Sequence, residues 1–356
     1  MNLISNYSSK IHSQDFESSG LTFQNTAFYS LKIALKGYFS TYQSMKNQLS
    51  QHTSNPKNTI KHDETYYEHF LEAIVHFQHF FELIVKDILE KESPLLVVKA
   101  NLQPVILHKL INEEEIHAEE YNKLYSIEFS EALKTLTELL NKGRIKNPDY
   151  LIFKDKKEIL LTLNNFRNRI WHRGRFALKY YSLDEFMGKY ILPLVLDVVN
   201  LNEYINYRNI WKGTLSNKLD IDIINEIIKE FKVSTPDYSK VALLKEIGRI
   251  EISPSNLSFK SLDHISTMTT IEESLNMVSD ILKCPVCGNK SLLNCYEYES
   301  HLEELGDEYS QNFSMFTVEE FIEDRVECFL CKFEVKKFVK NPEEYGYNKE
   351  FRFWNI

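Results

Sequence analysis

The chain has 356 residues, a formal charge of -9 at pH 7, 43% apolar residues, and only 10 glycines and 9 prolines. This composition excludes a disordered, collagenous or turn-rich all-β protein, and leaves room for roughly two or three domains of about 100 to 200 residues. The acidic balance excludes a generally basic, nucleic-acid-coating surface, so an anion site must be local. The expected class is mainly α.

Residues 1–20 are rich in Ser and Asn and are expected to be a flexible N-terminus; they lack the basic start and continuous apolar core of a signal peptide. The most apolar later segments, 70–89 and 190–201, are interrupted by Glu72, His76, Glu82 and Lys86, and by Asp197 and Asn200. Neither is predicted to span a membrane, and a soluble, cytoplasmic protein is expected.

Taken in chain order, a first helix is predicted over 21–49, with Phe23, Ala27, Leu31, Ala34 and Tyr38 at helical intervals and a breaker with Asn55-Pro56 behind it. Residues 65–90 carry the clearest pattern: Phe70, Ile74, Phe77, Phe81, Ile84, Val85 and Ile88 recur at three- and four-residue steps. Phe70, Phe77, Phe80 and Phe81 read as core rather than as a base-stacking platform, and His62, His69, His76 and His79 as packing and surface residues without a completed ligand set. Glu113-Glu114-Glu115 and Glu119-Glu120 read as a solvated face. Further helices are expected over 129–140, closed by Gly143, over 156–173, closed by Gly174, and over 183–207, kinked at Pro193. Two smaller ones follow over 221–231 and 238–250. The predicted organisation is a helical bundle over 21–210, a helical middle segment over 211–275 and a separate C-terminal domain over 276–356.

The end of the 156–173 helix concentrates chemistry. Arg167, Arg169, Arg173 and Arg175 surround Asn168 and His172, and no carboxylate lies between Glu158 and Asp184. At 100° per residue, Asn168 lies about 40° from His172, and Arg167 borders that stripe about 140° away. A phosphodiester along this face is expected to touch all three, while Ile159, Leu160, Leu163, Phe166 and Ile170 form the docking side. RNA can be cut without a metal when a base takes the 2'-hydroxyl proton and cations stabilise the charge on phosphorus. Histidine, with an ordinary pKa of about 6.5, suits the first role and arginine the second. The same residue types also complement the dipole and cap the carbonyls of any helix C-terminus.

Cys284-Pro285-Val286-Cys287-Gly288 and Cys328-Phe329-Leu330-Cys331 are two Cys-x-x-Cys knuckles, the pattern of a closed tetrahedral site for a structural Zn2+. Strands are expected over 292–298 and 333–339, separated by an acidic helical insert over 301–324, giving a zinc ribbon of small α+β type. Redox chemistry would need an activated thiolate at a helix start, and neither pair has one. Cys295 is expected to be a buried strand residue. Lys332, Lys336, Lys337 and Lys340 form a basic stripe, whereas Glu299, Glu303, Glu304, Asp307 and Glu308 are acidic, so the ribbon suits a protein partner as well as RNA.

The run from Leu163 to Gly174, with Arg167, the polar Asn168 and His172 late in a helical bundle, resembles the signature of the HEPN superfamily. The segment 77–89, with Glu82 and Lys86, is similar to that family's long second helix, and the resemblance covers about residues 21–207. It implies an all-α bundle that pairs as a homodimer and brings two copies of the motif into one cleft. It also implies a metal-independent endoribonuclease of toxin, antiphage-defence or CRISPR-linked type that leaves a cyclic phosphate and a 5'-hydroxyl. Arg167 would then hold the phosphate, Asn168 position it and His172 act as general acid or base. Other members are inactive, which keeps open a noncatalytic protein that binds RNA or a nucleotide and contacts a partner through the ribbon.

Overall fold

A computed structural model describes residues 23–51, 61–99, 103–112, 114–117, 120, 124–174, 176–213, 215–253, 281–305 and 314–354. The predicted N-terminal segment 1–20, the Asn55-Pro56 breaker, Glu113, Glu119, Arg175, residues 254–275 of the middle segment, Asp307 and Glu308 lie outside the described residues. The described chain is mainly helical, with a small antiparallel sheet near its C-terminus. It divides into two compact units, one made of the chain through Tyr38 with Tyr67–Lys212, the other of Phe39–Tyr66 with the chain from Gly213 onward.

In the first unit, helix α1 (Phe23–Gln51), which also supplies residues to the second unit, buries the predicted stripe Ala27, Leu31, Ala34 and Tyr38. Helix α2 (Glu64–Glu92) buries all seven of its predicted apolar positions, from Phe70 to Ile88. Gly37 explains how closely the two helices approach: a Cβ there would sit 2.9 Å from the backbone nitrogen of Ala73. Helix α3 (Pro104–Ile111) was not expected from the sequence; its proline takes a first-turn position, where the missing N–H costs nothing. Helix α4 (Phe129–Asn141) ends as expected, and Gly143 takes a φ of 62° just behind it. A short α5 (Leu151–Asp155) leads into α6 (Lys157–Arg173), which packs on α4 and buries Leu160, Leu163 and Ile170. Gly174, at φ 59°, closes α6, and its amide donates to the carbonyl of Ile170.

The single helix expected over 183–207 is instead broken into α7 (Tyr180–Phe186), a π-helical turn (Met187–Ile191), α8 (Leu192–Val199), a 3-10 turn (Ile205–Tyr207) and α9 (Arg208–Trp211). Pro193 is the cause at the first break, because it has no N–H to give the carbonyl four residues back and a wider turn absorbs the gap. The returning chain stacks Tyr207 on Phe28, ring centroids 5.0 Å apart, and Tyr204 donates its hydroxyl to buried Asp87 at 2.7 Å.

In the second unit, Asp222 caps α10 (Ile223–Glu230) and Asp237 caps α11 (Tyr238–Ile252), each accepting backbone N–H groups of its first turn. Strands β1 (Leu282–Lys283), β2 (Lys290–Leu305), β3 (Ser314–Cys328) and β4 (Glu334–Lys336) form an antiparallel sheet in chain order. Of the acidic segment expected to be a helix over 301–324, the described parts 301–305 and 314–324 are therefore strand, in a ladder paired from Leu292 opposite Cys328 to Leu305 opposite Ser314; 306–313 lie outside the described residues. The strand expected over 292–298 lies within β2; in the insert, glutamates favour a helix locally, but the β-branched Thr317-Val318 fit a strand, and the pairing of β2 with β3 overrides propensity. The ribbon is tied into its unit by hydrogen bonds. Fully buried Glu246 accepts two from Arg249 and one from the backbone N–H of Glu334, and Tyr42 accepts one from the N–H of Lys336. Near the C-terminus, Asn341 Oδ1 accepts from the N–H groups of Phe353 and Trp354.

Candidate functional site

The last turns of α6 line an open groove with a volume of about 610 Å³, formed by Thr162, Asn165, Phe166, Asn168, Arg169, His172 and Arg173. Every one of these residues comes from α6, so the groove is one helix face rather than a closed pocket. Its lining contains two guanidinium groups, two side-chain amides, a hydroxyl and an imidazole, and no carboxylate. Asn165, Arg169, His172 and Arg173 are exposed and Asn168 is half-buried. The aromatic floor is fixed by packing: Phe166 lies against Phe176 and Phe186 at 5.3 and 5.2 Å between centroids. Arg169 lies over the Phe176 ring at 5.3 Å, which holds its guanidinium beside the groove. The Tyr67 hydroxyl of α2 donates to the carbonyl of Gly174, fastening the end of α6.

Of the three residues singled out from the sequence, the groove brings together Asn168 and His172, and Arg167 is not part of its lining. Helix geometry gives the reason: Arg167 projects between the buried residues Leu160 and Leu163, about 140° around the helix from His172. Its guanidinium lies 5.7 Å from the centre of the Trp171 ring and donates from Nη1 to Asn168 Oδ1 at 3.0 Å. Arg167 thus meets the groove only through Asn168. Sequence reasoning did not assign Asn165, Arg169 and Arg173 roles, although the signal was there: Arg169 and Asn165 stand three and seven residues before His172, about 60° and 20° around the helix.

Arg167 also adds its charge to a polar patch on α2. Ser30 and His79 share a 2.9 Å hydrogen bond, and Glu82 accepts from Gln78 at 2.9 Å and from Lys86 at 2.6 Å. Burial pushes His79 below the ordinary histidine value, with Glu82 opposing and His76, Lys86 and Arg167 adding to the depression. His76 is lowered as well, by burial against the opposing charge of Glu72. Burial acts to raise Glu82, but the bonds from Lys86 and Gln78 outweigh it and leave this carboxyl below its usual range.

The second unit holds the cysteines. The Sγ atoms of Cys284, Cys287, Cys328 and Cys331 all lie within 4.8 Å of one another, with Cys284–Cys331 at 3.5 Å and Cys287–Cys328 at 3.8 Å. Four thiolates at tetrahedral corners about 2.3 Å from a zinc ion would be about 3.8 Å apart, so the quartet is compatible with a zinc site. Cys284, Cys328 and Cys331 are buried, and Cys287 is half-buried. The amides of Val286 and Cys331 donate to the sulfurs of Cys284 and Cys328, the usual bonding of a knuckle turn that expects thiolate. Within the quartet, hydrogen bonds from Cys284, then Cys328 and Cys331, push the Cys287 thiol down, while burial pushes Cys284 up. Cys295, expected to be buried, is half-buried on β2 and apart from the quartet.

The basic stripe beside the second knuckle is largely neutralised within its own unit. Lys332 pairs with Glu327 at 3.4 Å, Lys336 with Asp324 at 2.8 Å and Lys340 with Asp237 at 3.2 Å. No described helix is long and apolar enough to cross a membrane. Compared with protein-family models, curated proteins and solved structures, the chain matches none.

Proposed function

We propose that the protein is a metal-independent endoribonuclease of HEPN type, cutting RNA at the α6 groove. One observation carries this reading: an imidazole, two arginines and two amides share one open face with no carboxylate to neutralise them. In the reaction, the 2'-oxygen forms a bond to phosphorus as its proton passes to a base, and the bond from phosphorus to the 5'-oxygen breaks as that oxygen receives a proton. The products are a 2',3'-cyclic phosphate and a 5'-hydroxyl. His172 is the proton carrier, Asn168 positions the phosphate, and Arg167 contributes the positive charge assigned to it by the motif. A single histidine serves as base or as acid within one turnover, and a groove with a single helical wall is open to solvent. A homodimer that sets two α6 faces together supplies both roles and the second wall. Regulation of such an activity fits a toxin or antiphage-defence effector.

In the second unit, Cys284, Cys287, Cys328 and Cys331 would hold a structural Zn2+. With four sulfurs the ion has no open position for water, so it would stabilise the ribbon rather than take part in cleavage.

The absence of Arg167 from the groove favours a second reading, a noncatalytic protein that binds RNA or a nucleotide on the same face. Incubation with RNA in buffer without added divalent metal, alongside His172→Ala, separates the two. Cleavage with cyclic phosphate ends, lost in the variant, supports the nuclease; RNA binding without cleavage in the wild type supports the binding protein.

A further inference from the structure

The orientation of Asn168 carries more information than its position. Its Oδ1 accepts from Arg167 Nη1, which leaves the amide nitrogen, a pure donor with two hydrogens, on the side away from Arg167. Around α6 the order is Arg167, Trp171, Asn168, His172, Asn165, Arg169 and Arg173, so the free donor side of Asn168 faces His172 and the groove. On the other flank of His172 stand Arg169, held over Phe176, and exposed Arg173. Among the described residues neither makes an ion pair with a carboxylate.

We infer that the RNA phosphates are gripped by the Asn168 amide nitrogen, Arg169 and Arg173, and that Arg167 is a positioning residue that fixes the donor side of Asn168 toward them. The inference rests on the RNA reading of the groove and reassigns the cations within it. An arginine on the buried side suits this role. Its guanidinium is anchored at Trp171 and on the helix flank, and it donates but cannot accept, so it selects one of the two amide orientations. A phosphate oxygen accepts hydrogen bonds only, so a flipped amide would present a carbonyl oxygen to it and repel it. The grip then has donors on both sides of the imidazole.

The test uses full-length protein, a single-stranded RNA oligonucleotide carrying 2'-O-methyl groups, which has no free nucleophile, and the same sequence with free 2'-hydroxyls. Binding of the blocked oligonucleotide is followed by fluorescence anisotropy against salt. Arg169→Ala and Arg173→Ala are each expected to reduce the slope of log affinity against log salt by about 0.7, one phosphate contact on a single strand. Arg167→Ala is expected to leave the slope unchanged and to lower kcat on the free RNA by about 100-fold, with KM little altered. Asn168→Asp is the sharper variant: it keeps an acceptor for Arg167 but replaces the donor by a second acceptor. It is expected to match or exceed the loss in Asn168→Ala while keeping the wild-type melting temperature. The inference is overturned if Arg167→Ala flattens the salt slope as Arg169→Ala does, or if Asn168→Asp behaves as wild type. The two layers fail differently. Oligonucleotide binding with these slopes but no cleavage removes the nuclease and keeps the grip; cleavage untouched by Arg169→Ala and Arg173→Ala keeps the nuclease and removes the grip. A wild type that neither binds nor cuts overturns both.

Discussion

The α6 groove and the cysteine quartet are opposites in construction. The groove is a single face of one helix, exposed and built from residues within twelve positions of one another, from Thr162 to Arg173. The quartet joins two knuckles far apart in the chain and encloses its sulfurs, three of them buried. A closed site of this kind is complete within its own unit and reads as structural. An open helical face has one wall, so its chemistry depends on what is laid against it, which is why the proposed function adds a second copy and an anionic ligand.

The largest expected effect lies on the closed side of this comparison. Structural zinc sites contribute on the order of 10 kcal/mol to the folding of small modules, so Cys331→Ser or exhaustive chelation should unfold the ribbon. Elemental analysis should give one zinc per chain in the wild type and none in the variant, with loss of near-ultraviolet circular dichroism from Phe353 and Trp354 near the C-terminus. A ribbon that keeps its signal without metal would make the quartet a plain packing cluster. Next, His172→Ala should lower cleavage by about 10²- to 10⁴-fold while leaving the melting temperature unchanged, because the side chain is exposed. An equal loss of stability would turn the residue into a helix-end cap. Third, Leu163→Ala, behind the groove and fully buried, should cost about 2–5 kcal/mol in denaturant unfolding of the first unit without affecting zinc content.

The two sites were legible to different depths for a physical reason. Cysteine spacing fixes candidate ligands whatever the intervening fold, so the quartet could be read from Cys284, Cys287, Cys328 and Cys331 even though the insert between them, apart from the expected strand over 292–298, is strand rather than helix in its described parts. That segment failed because glutamate-rich stretches favour a helix locally, while the pairing of β2 with β3 is a long-range fact that no local window contains. Helices α1, α2, α4 and α6 were legible because their apolar stripes coincide with their buried sides. The splitting of the 183–207 region beyond Pro193 was not legible, since its later turns depend on tertiary contacts such as Tyr207 on Phe28. In the groove, the angle of about 140° between Arg167 and His172 was legible but was expected to be close enough to share a phosphodiester, whereas Arg167 stays out of the lining and turns to Trp171 and Asn168.

Smaller effects sharpen the description of the first unit. His76 and His79 are both depressed by burial, so the folded protein takes up their protons at lower pH than the unfolded chain. Stability is therefore fully present above the ordinary histidine value of 6.5 and is lost as the pH falls through the depressed folded values. Denaturant unfolding followed across pH 7 to 5 should show this decline, and His79→Gln should make it shallower; a parallel pH curve in the variant would remove His79 from the account. Gly174→Ala, which forces a side chain into the left-handed region at φ 59°, should cost about 1 kcal/mol and loosen the end of α6 that carries His172.

The most direct measurement is cleavage of a defined RNA by purified wild type and His172→Ala, without added divalent metal and without chelator, followed by analysis of the cut ends. The account expects 2',3'-cyclic phosphate and 5'-hydroxyl ends from the wild type, and at least 100-fold less product from the variant. Cutting that needs added metal, or that proceeds equally well without His172, would contradict it.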